Sequence, residues 1–303
     1  MFPFLIRHSL VFMFVAALLG FLMPAWSLAA FPFLPYVLFS LMLLTLLGIK
    51  QSLLIDRLKQ KKVWFYAFFH SFILMLVSYG FARVIQANDE LVIAIVAIAA
   101  TGSLFATPAI VRALGFDVMG AMAMTITTTI LLPIAIYCVL VLLQNEAVTL
   151  DMQSYFMRLF IFIFGPMLLS YVIHAFVPQL ILSKVLLTIS PYTILLVFAF
   201  PFGLIGAFRQ LWDQDPAQAY YYFLIALFLI VLFFGAAYFL YKKHGKEEAL
   251  MAAITSGNRN VLLTYSIAGT LLGPAFLPLV GALQAPTYLL PMITKWLAKH
   301  LKD

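Results

Sequence analysis

The sequence predicts an all-α membrane protein of ten transmembrane helices, arranged as two inverted five-helix repeats with broken, crossing helices 4 and 9. Three observations lead there. First, 65% of the 303 residues are hydrophobic and 10% charged, against roughly 45–50% and about 25% in an ordinary soluble domain. Second, apolar runs of about 20 residues, enough to cross a ~30 Å hydrocarbon layer as helix, recur with only short polar breaks between them. Third, the fourth span of each half carries a polar interruption.

The spans are expected at about 7–24, 32–49, 63–84, 91–113, 118–141, 156–177, 185–208, 219–241, 250–273 and 275–297. The first resembles a secretory signal, with Arg7, an apolar stretch from Leu10 to Met23, and small Ser27 and Ala29. An even span count needs it as a helix, so it is taken as span 1. Spans 2 and 3 flank the basic 50–62 loop. Span 4 contains Thr-Gly-Ser-Leu-Phe-Ala-Thr-Pro at 101–108, and span 9 contains Thr-Ser-Gly-Asn-Arg-Asn at 255–260. Spans 5 and 10 carry Pro133 and Pro291, and Tyr220, Tyr221 and Tyr222 anchor the start of span 8 at the interface. The Phe-rich stretches read as lipid-facing surface.

The net charge of +7 follows membrane orientation rather than a nucleic-acid face, because the basic residues sit in short loops. Of 18 Lys and Arg residues, 14 fall on one side: Arg7, Lys50, Arg57, Lys59, Lys61, Lys62, Arg112, Lys184, Lys242, Lys243, Lys246, Lys295, Lys299 and Lys302. Arg83, Arg158 and Arg209 fall on the other. The expectation is a multi-pass protein of the cell inner (plasma) membrane with both termini cytoplasmic.

An offset of 154 lays Pro24 on Pro178, and Thr101, Gly102, Ser103 on Thr255, Ser256, Gly257; Pro133 and Pro291 match at 158. The repeats are placed at 1–145 and 154–303. Five spans per half force the second half to enter the membrane inverted. Polar breaks at mid-membrane leave backbone groups that only protein or a water-lined cavity can satisfy, and corresponding broken helices in two halves point to a transporter binding site.

All eleven acidic residues, including Glu146, Asp151 and Asp303, fall in loops, tails or span ends. That disfavours an intramembrane protease, a carboxylate-based proton pump or a carboxylate-ligated metal enzyme. The five histidines lack zinc-site spacing, and the single Cys138 cannot form a disulfide within one chain. No cofactor is expected. The one deep charge is Arg259, which costs roughly 2.5–3.5 kcal/mol on insertion scales. It either holds an anion, stands in for a bound cation, or caps helix C-terminal carbonyls of the crossing break. Around it, Asn258, Asn260, Thr255 and Ser256 from the second break, and Ser103 and Thr107 from the first, are the substrate- or ion-site candidates. His70 in span 3 is either an interhelical hydrogen-bonding group or a coupling group. Thr125, Thr128 and Thr129 share one face of span 5, and Thr125 and Thr129 are taken as cavity lining against the alternative of bonding back to their own helix. Gln284, Thr287, Thr264 and Ser266 are weaker candidates.

Five plus five spans, breaks in spans 4 and 9, Ala-Met-Ala-Met-Thr-Ile-Thr-Thr-Thr at 121–129 and Ser-Gly-Asn-Arg-Asn at 256–260 resemble the bile acid:sodium symporter family. The resemblance implies a core of helices 3–5 and 8–10, a panel of helices 1, 2, 6 and 7, and small carboxylates or other organic anions as substrates. It also implies a sodium site that this chain alters. Thr107 and Pro108 stand where a Ser-Asn pair is usual, Thr255 where a glutamate is usual and Arg259 where a glutamine is usual. Only Thr125 keeps its sodium-ligand type.

The leading expectation is therefore alternating-access transport of a small organic anion, not sodium-coupled in the usual family manner. A sodium-dependent symporter is the first alternative; a passive channel or a membrane-embedded enzyme is more remote. Membrane lipid and the organic anion are the expected partners, with no nucleic acid and no obligate protein partner.

Overall fold

The computed structural model describes residues 4–5, 8–49, 51–143, 152–189 and 192–300. Of the residues used in the topology and acid-placement arguments, Arg7, Lys50, Glu146, Asp151, Lys302 and Asp303 lie outside them. The described residues are 89% helical, with no strand among them. In order the helices are α1 Ser9–Leu22, α2 Pro24–Leu47, α3 Gln51–Leu58, α4 Lys61–Val84, α5 Asp89–Ala100, α6 Thr107–Leu114 and α7 Val118–Leu143. They continue with α8 Gln153–Phe176, α9 Gln179–Ile189, α10 Thr193–Gln214, α11 Pro216–Tyr241, α12 Lys246–Gly257, α13 Val261–Ala268 and α14 Phe276–His300. Seven of them, α2, α4, α7, α8, α10, α11 and α14, are long and apolar enough to cross a membrane. This is an all-α, multi-pass membrane protein.

Two boundaries differ from the expected spans. Span 2 starts eight residues early, at Pro24, which occupies a first-turn position where a missing N–H costs nothing. Span 7 starts at Thr193 rather than 185. The stretch that includes Lys184 is a separate helix, α9, with Leu180, Ile181 and Leu187 exposed. Hydropathy alone cannot distinguish such a short apolar helix from the start of a span.

The breaks have local causes. Helix α5 is capped by Asn88, whose Oδ1 accepts from Leu91 N at 2.9 Å, with Asp89 and Glu90 in the positive first turn. It ends where Thr101 turns extended, at φ −65°, ψ 140°. Pro108 sits in the first turn of α6. Helix α12 ends at Asn258, at φ −84°, ψ 91°, and α13 restarts behind Asn260, whose Oδ1 accepts from Leu263 N at 3.3 Å. The interrupted segments match in length: α5 and α12 have 12 residues each, and α6 and α13 have 8 each.

Burial ranks the helices. In α14, 67% of the most apolar window is buried, against 22% in α8, so α14 is central and α8 presents Phe156, Phe160 and Phe164 outward. Helix α1 packs on α10 at Gly20, where any Cβ would strike the Phe202 carbonyl oxygen. Small residues at such crossings let backbones approach in a setting without a hydrophobic drive between helices.

Ion pairs and a hydrogen bond gather several loops on one face. Arg57 meets Asp117 at 3.0 Å and Lys62 meets Glu248 at 2.7 Å, while the Tyr241 hydroxyl donates to Lys62 O at 2.8 Å. Hence α3, the start of α4, the start of α7 and the α11–α12 turn lie together. At other loops, Arg83 pairs with Asp89 at 3.7 Å, and Arg209 with Asp213 at 2.9 Å and with the Phe21 carbonyl at 3.1 Å. These pairs are surface-exposed and worth little energy; their value is in locating the loops.

Candidate functional site

The two breaks cross. Leu104 N donates to Asn258 O and Asn260 N to Gly102 O, both at 2.8 Å, around an antiparallel Ser103–Arg259 bridge. Each extended segment thus satisfies backbone groups of the other, as a non-helical stretch buried in a membrane protein requires. Gly102 is needed here: a Cβ would sit 3.1 Å from the Thr128 carbonyl oxygen. Its neighbour Ser103 N donates to Thr128 Oγ1 at 3.0 Å, which fastens the first break to α7.

Arg259 reaches from the second break over the C-terminal end of α5. Its Nη1 donates to the carbonyls of Ala99 at 2.8 Å, Thr101 at 2.9 Å and His70 at 3.1 Å. The guanidinium lies over the Phe233 ring of α11, with Cζ 4.0 Å from the centroid. The cation therefore sits at the negative end of the α5 dipole, in the location where orphan carbonyls gather. Nε and Nη2 are buried without hydrogen-bond partners. The His70 carbonyl lies in a single π-helical turn, Phe69–Ile73, a feature frequent at functional sites. The His70 ring places Nε2 3.0 Å from Thr101 O. Because a carbonyl only accepts, Nε2 carries the proton and Nδ1 is an unpartnered acceptor.

The other candidates divide into two groups. Ser103 Oγ, Thr107 Oγ1, Ser256 Oγ, both polar atoms of Asn258 and Asn260 Nδ2 are buried without partners, an unusual concentration for a native interior. Thr255 instead lies inside α12 and donates to Met251 O at 2.6 Å; the helix runs to Gly257, so the second break is shorter than 255–260. Thr125 and Thr129 donate to Ala121 O at 2.9 Å and Thr125 O at 2.8 Å, the back-bonding arrangement left open above. Thr128 is the α7 threonine that touches the break. It was visible on the same face but could not be singled out by spacing. Tyr66 and Phe233 gave no sequence sign at all. The Tyr66 hydroxyl lies beside the Ser103 and Ser256 side chains and donates to Ala252 O at 3.3 Å.

One cavity adjoins this centre, and a larger one lies away from it. A small one, of about 20 Å³, abuts Arg259 between α10 and α14 and has room for about one water. A large one, of about 1360 Å³, is lined by Leu47, Ala109, Arg112, His174 and Lys295 among others, and no Asp or Glu lines it among the described residues. Among the described residues, no group of three or more His, Cys, Asp or Glu side chains is placed to hold a metal. The site's chemistry is that of one fixed cation amid hydroxyl and amide groups.

No protein-family model matches the chain, and no curated protein does.

Proposed function

We propose that this protein is a secondary transporter of a small organic anion, working by alternating access and akin to the bile acid:sodium symporters. The observation that carries the reading is the crossing of two helix breaks around a buried, carbonyl-clipped Arg259. Broken helices meeting at mid-depth create a site with fixed charge and unsatisfied polar groups, the arrangement secondary transporters use. The matched 12- and 8-residue segments, followed by 26- and 25-residue helices, support two inverted repeats. Counting α1 and the two interrupted pairs with the seven long helices yields ten spans. In this reading α4–α7 and α11–α14 form the core, and α1, α2, α8 and α10 form the panel. The large cavity lies where the two adjoin, and Arg112, His174 and Lys295 draw anions into it.

Counterflow tests the reading. Purified protein in liposomes preloaded with an unlabelled small carboxylate should accumulate the labelled one transiently above equilibrium. A passive pore shows no such acceleration, and an enzyme would alter the label chemically. Either result would remove the transporter reading.

The grouping of α3 with the starts of α4, α7 and α12 on one face, where Arg57, Lys59, Lys61, Lys62, Lys242, Lys243 and Lys246 gather, supports a plasma-membrane orientation with both termini cytoplasmic. Cysteines introduced at Lys59 and Lys243 should resist an impermeant thiol reagent in intact cells and react after permeabilisation. Labelling of either from outside would reverse the topology.

A further inference from the structure

We propose that the unused edge of Arg259 is a receptor for one carboxylate group, and that the small cavity beside it selects monocarboxylates. The proposal rests on the transport reading above and names its substrate class. A guanidinium offers five N–H donors in a rigid fork. Here Nη1 is committed to three carbonyls, while Nε and Nη2, which lie side by side on the same edge, are buried and unpartnered. Two parallel N–H donors on that edge match the two oxygens of a carboxylate. Phe233 beneath the plane and the three carbonyls at the tip fix the fork's orientation, so little order is lost on binding.

The cavity supplies the selectivity. Leu104, Phe200 and Ile230 line it with Gln284, Thr287 and Tyr288 of α14. Arg259 is its only charged lining residue. A single carboxylate neutralises that charge; a second would be buried without a partner, a cost of several kcal/mol in a low-dielectric interior. At about 20 Å³ the space holds a water and not yet a carboxylate. Phe200, from α10, belongs to the proposed panel, whereas Arg259, Ile230 and Thr287 belong to the core, so separation of core from panel widens this cavity in particular. The mostly apolar wall suits a short hydrocarbon body behind the carboxylate.

The test measures binding by thermal shift and calorimetry on the purified full chain, in potassium salts, with butyrate, butyramide and succinate as probes. Butyrate should bind, with butyramide and succinate at least tenfold weaker. Arg259→Lys keeps a cation for the carbonyls but lacks the fork; it should retain the ligand-free melting temperature within a few degrees and bind butyrate at least tenfold more weakly. Phe200→Trp fills the cavity from the panel side, leaves Arg259 in place and should weaken butyrate to a similar extent. Equal affinity for butyrate and succinate, or butyrate binding within threefold of the unmodified protein in folded Arg259→Lys or Phe200→Trp, overturns the carboxylate receptor while leaving anion transport standing. Failure of every anion both to bind and to show counterflow overturns the transport reading itself, and the receptor with it.

Discussion

Arg259→Ala is expected to abolish anion counterflow and to destabilise the folded bundle by roughly 2–4 kcal/mol. The structural part follows from carbonyl accounting. Thr101 O keeps the His70 Nε2 contact at 3.0 Å, but Ala99 O, in the last turn of α5, and His70 O, in the π-helical turn, lose the Nη1 donor. A buried group stripped of its partner costs about 1–3 kcal/mol, and two such groups, less the desolvation relieved by removing a buried cation, give the stated range. Loss of the guanidinium from over Phe233 adds a cavity contribution in the same direction. The functional part follows from charge: Arg259 is the only buried Lys, Arg, Asp or Glu among the described residues, so its removal leaves no positive charge at the crossing to hold an anion. Thermal unfolding in detergent and counterflow in liposomes check the two parts separately. A variant that unfolds like the unmodified protein and still exchanges anion would make Arg259 dispensable to both.

Much of this architecture was legible because membrane insertion constrains sequence so strongly. Backbone cannot be left unpaired in hydrocarbon, so the polar stretches at 101–108 and 255–260 had to contain breaks in contact with protein or water, although the helix already resumes at Thr107 and continues to Gly257. The structure pairs them with each other. Arg259 was legible for the same reason, since a central charge must be compensated. Capping of the crossing break's C-terminal carbonyls was one of the three readings of Arg259, and the contacts to Ala99 O and Thr101 O are of that kind; what the sequence could not supply was which carbonyls. The three acceptors, Ala99, Thr101 and His70, are backbone carbonyls, and every residue has one. His70 was marked for its ring, yet its main-chain oxygen is equally engaged, freed by a local π-helical turn that periodicity does not register. Thr128 was hidden among four threonines of similar spacing; the approach of Gly102 to its backbone and the Ser103 N–H bond to its hydroxyl separate it from Thr125 and Thr129. Tyr66 and Phe233 read as two aromatics among many in a chain with 30 phenylalanines and 14 tyrosines. Expected spans 156–177 and 185–208 leave Lys184 in the loop between them, whereas α9 carries it on a short helix.

Anion binding and transport are expected to survive replacement of sodium by potassium or choline with less than a twofold change. Nη1 already occupies a point 2.8–3.1 Å from three carbonyl oxygens, so positive charge is supplied to the C-terminal end of α5 by a covalently tethered group. A sodium ion entering beside it would face repulsion of roughly 4 kcal/mol for unit charges about 4 Å apart at an effective dielectric near 20. It would also lack a carboxylate to offset its charge, because Thr255 stands in the helix where the resemblance implies a glutamate and spends its hydroxyl on Met251 O. Thr125, the one residue that matches the expected sodium ligands, donates to Ala121 O at 2.9 Å, and a lone hydroxyl does not make a site. On the transport reading, an anion that neutralises Arg259 needs no co-transported cation, so uptake should respond to the anion gradient and not to a sodium gradient. Liposomes with equal anion on both sides and sodium on one side only should therefore show no net accumulation. Accumulation driven by that sodium gradient, or loss of binding in choline, would mean that Arg259 serves only as a cap on α5 and that a cation site lies among the unpartnered oxygens of Ser103, Thr107, Ser256 and Asn258.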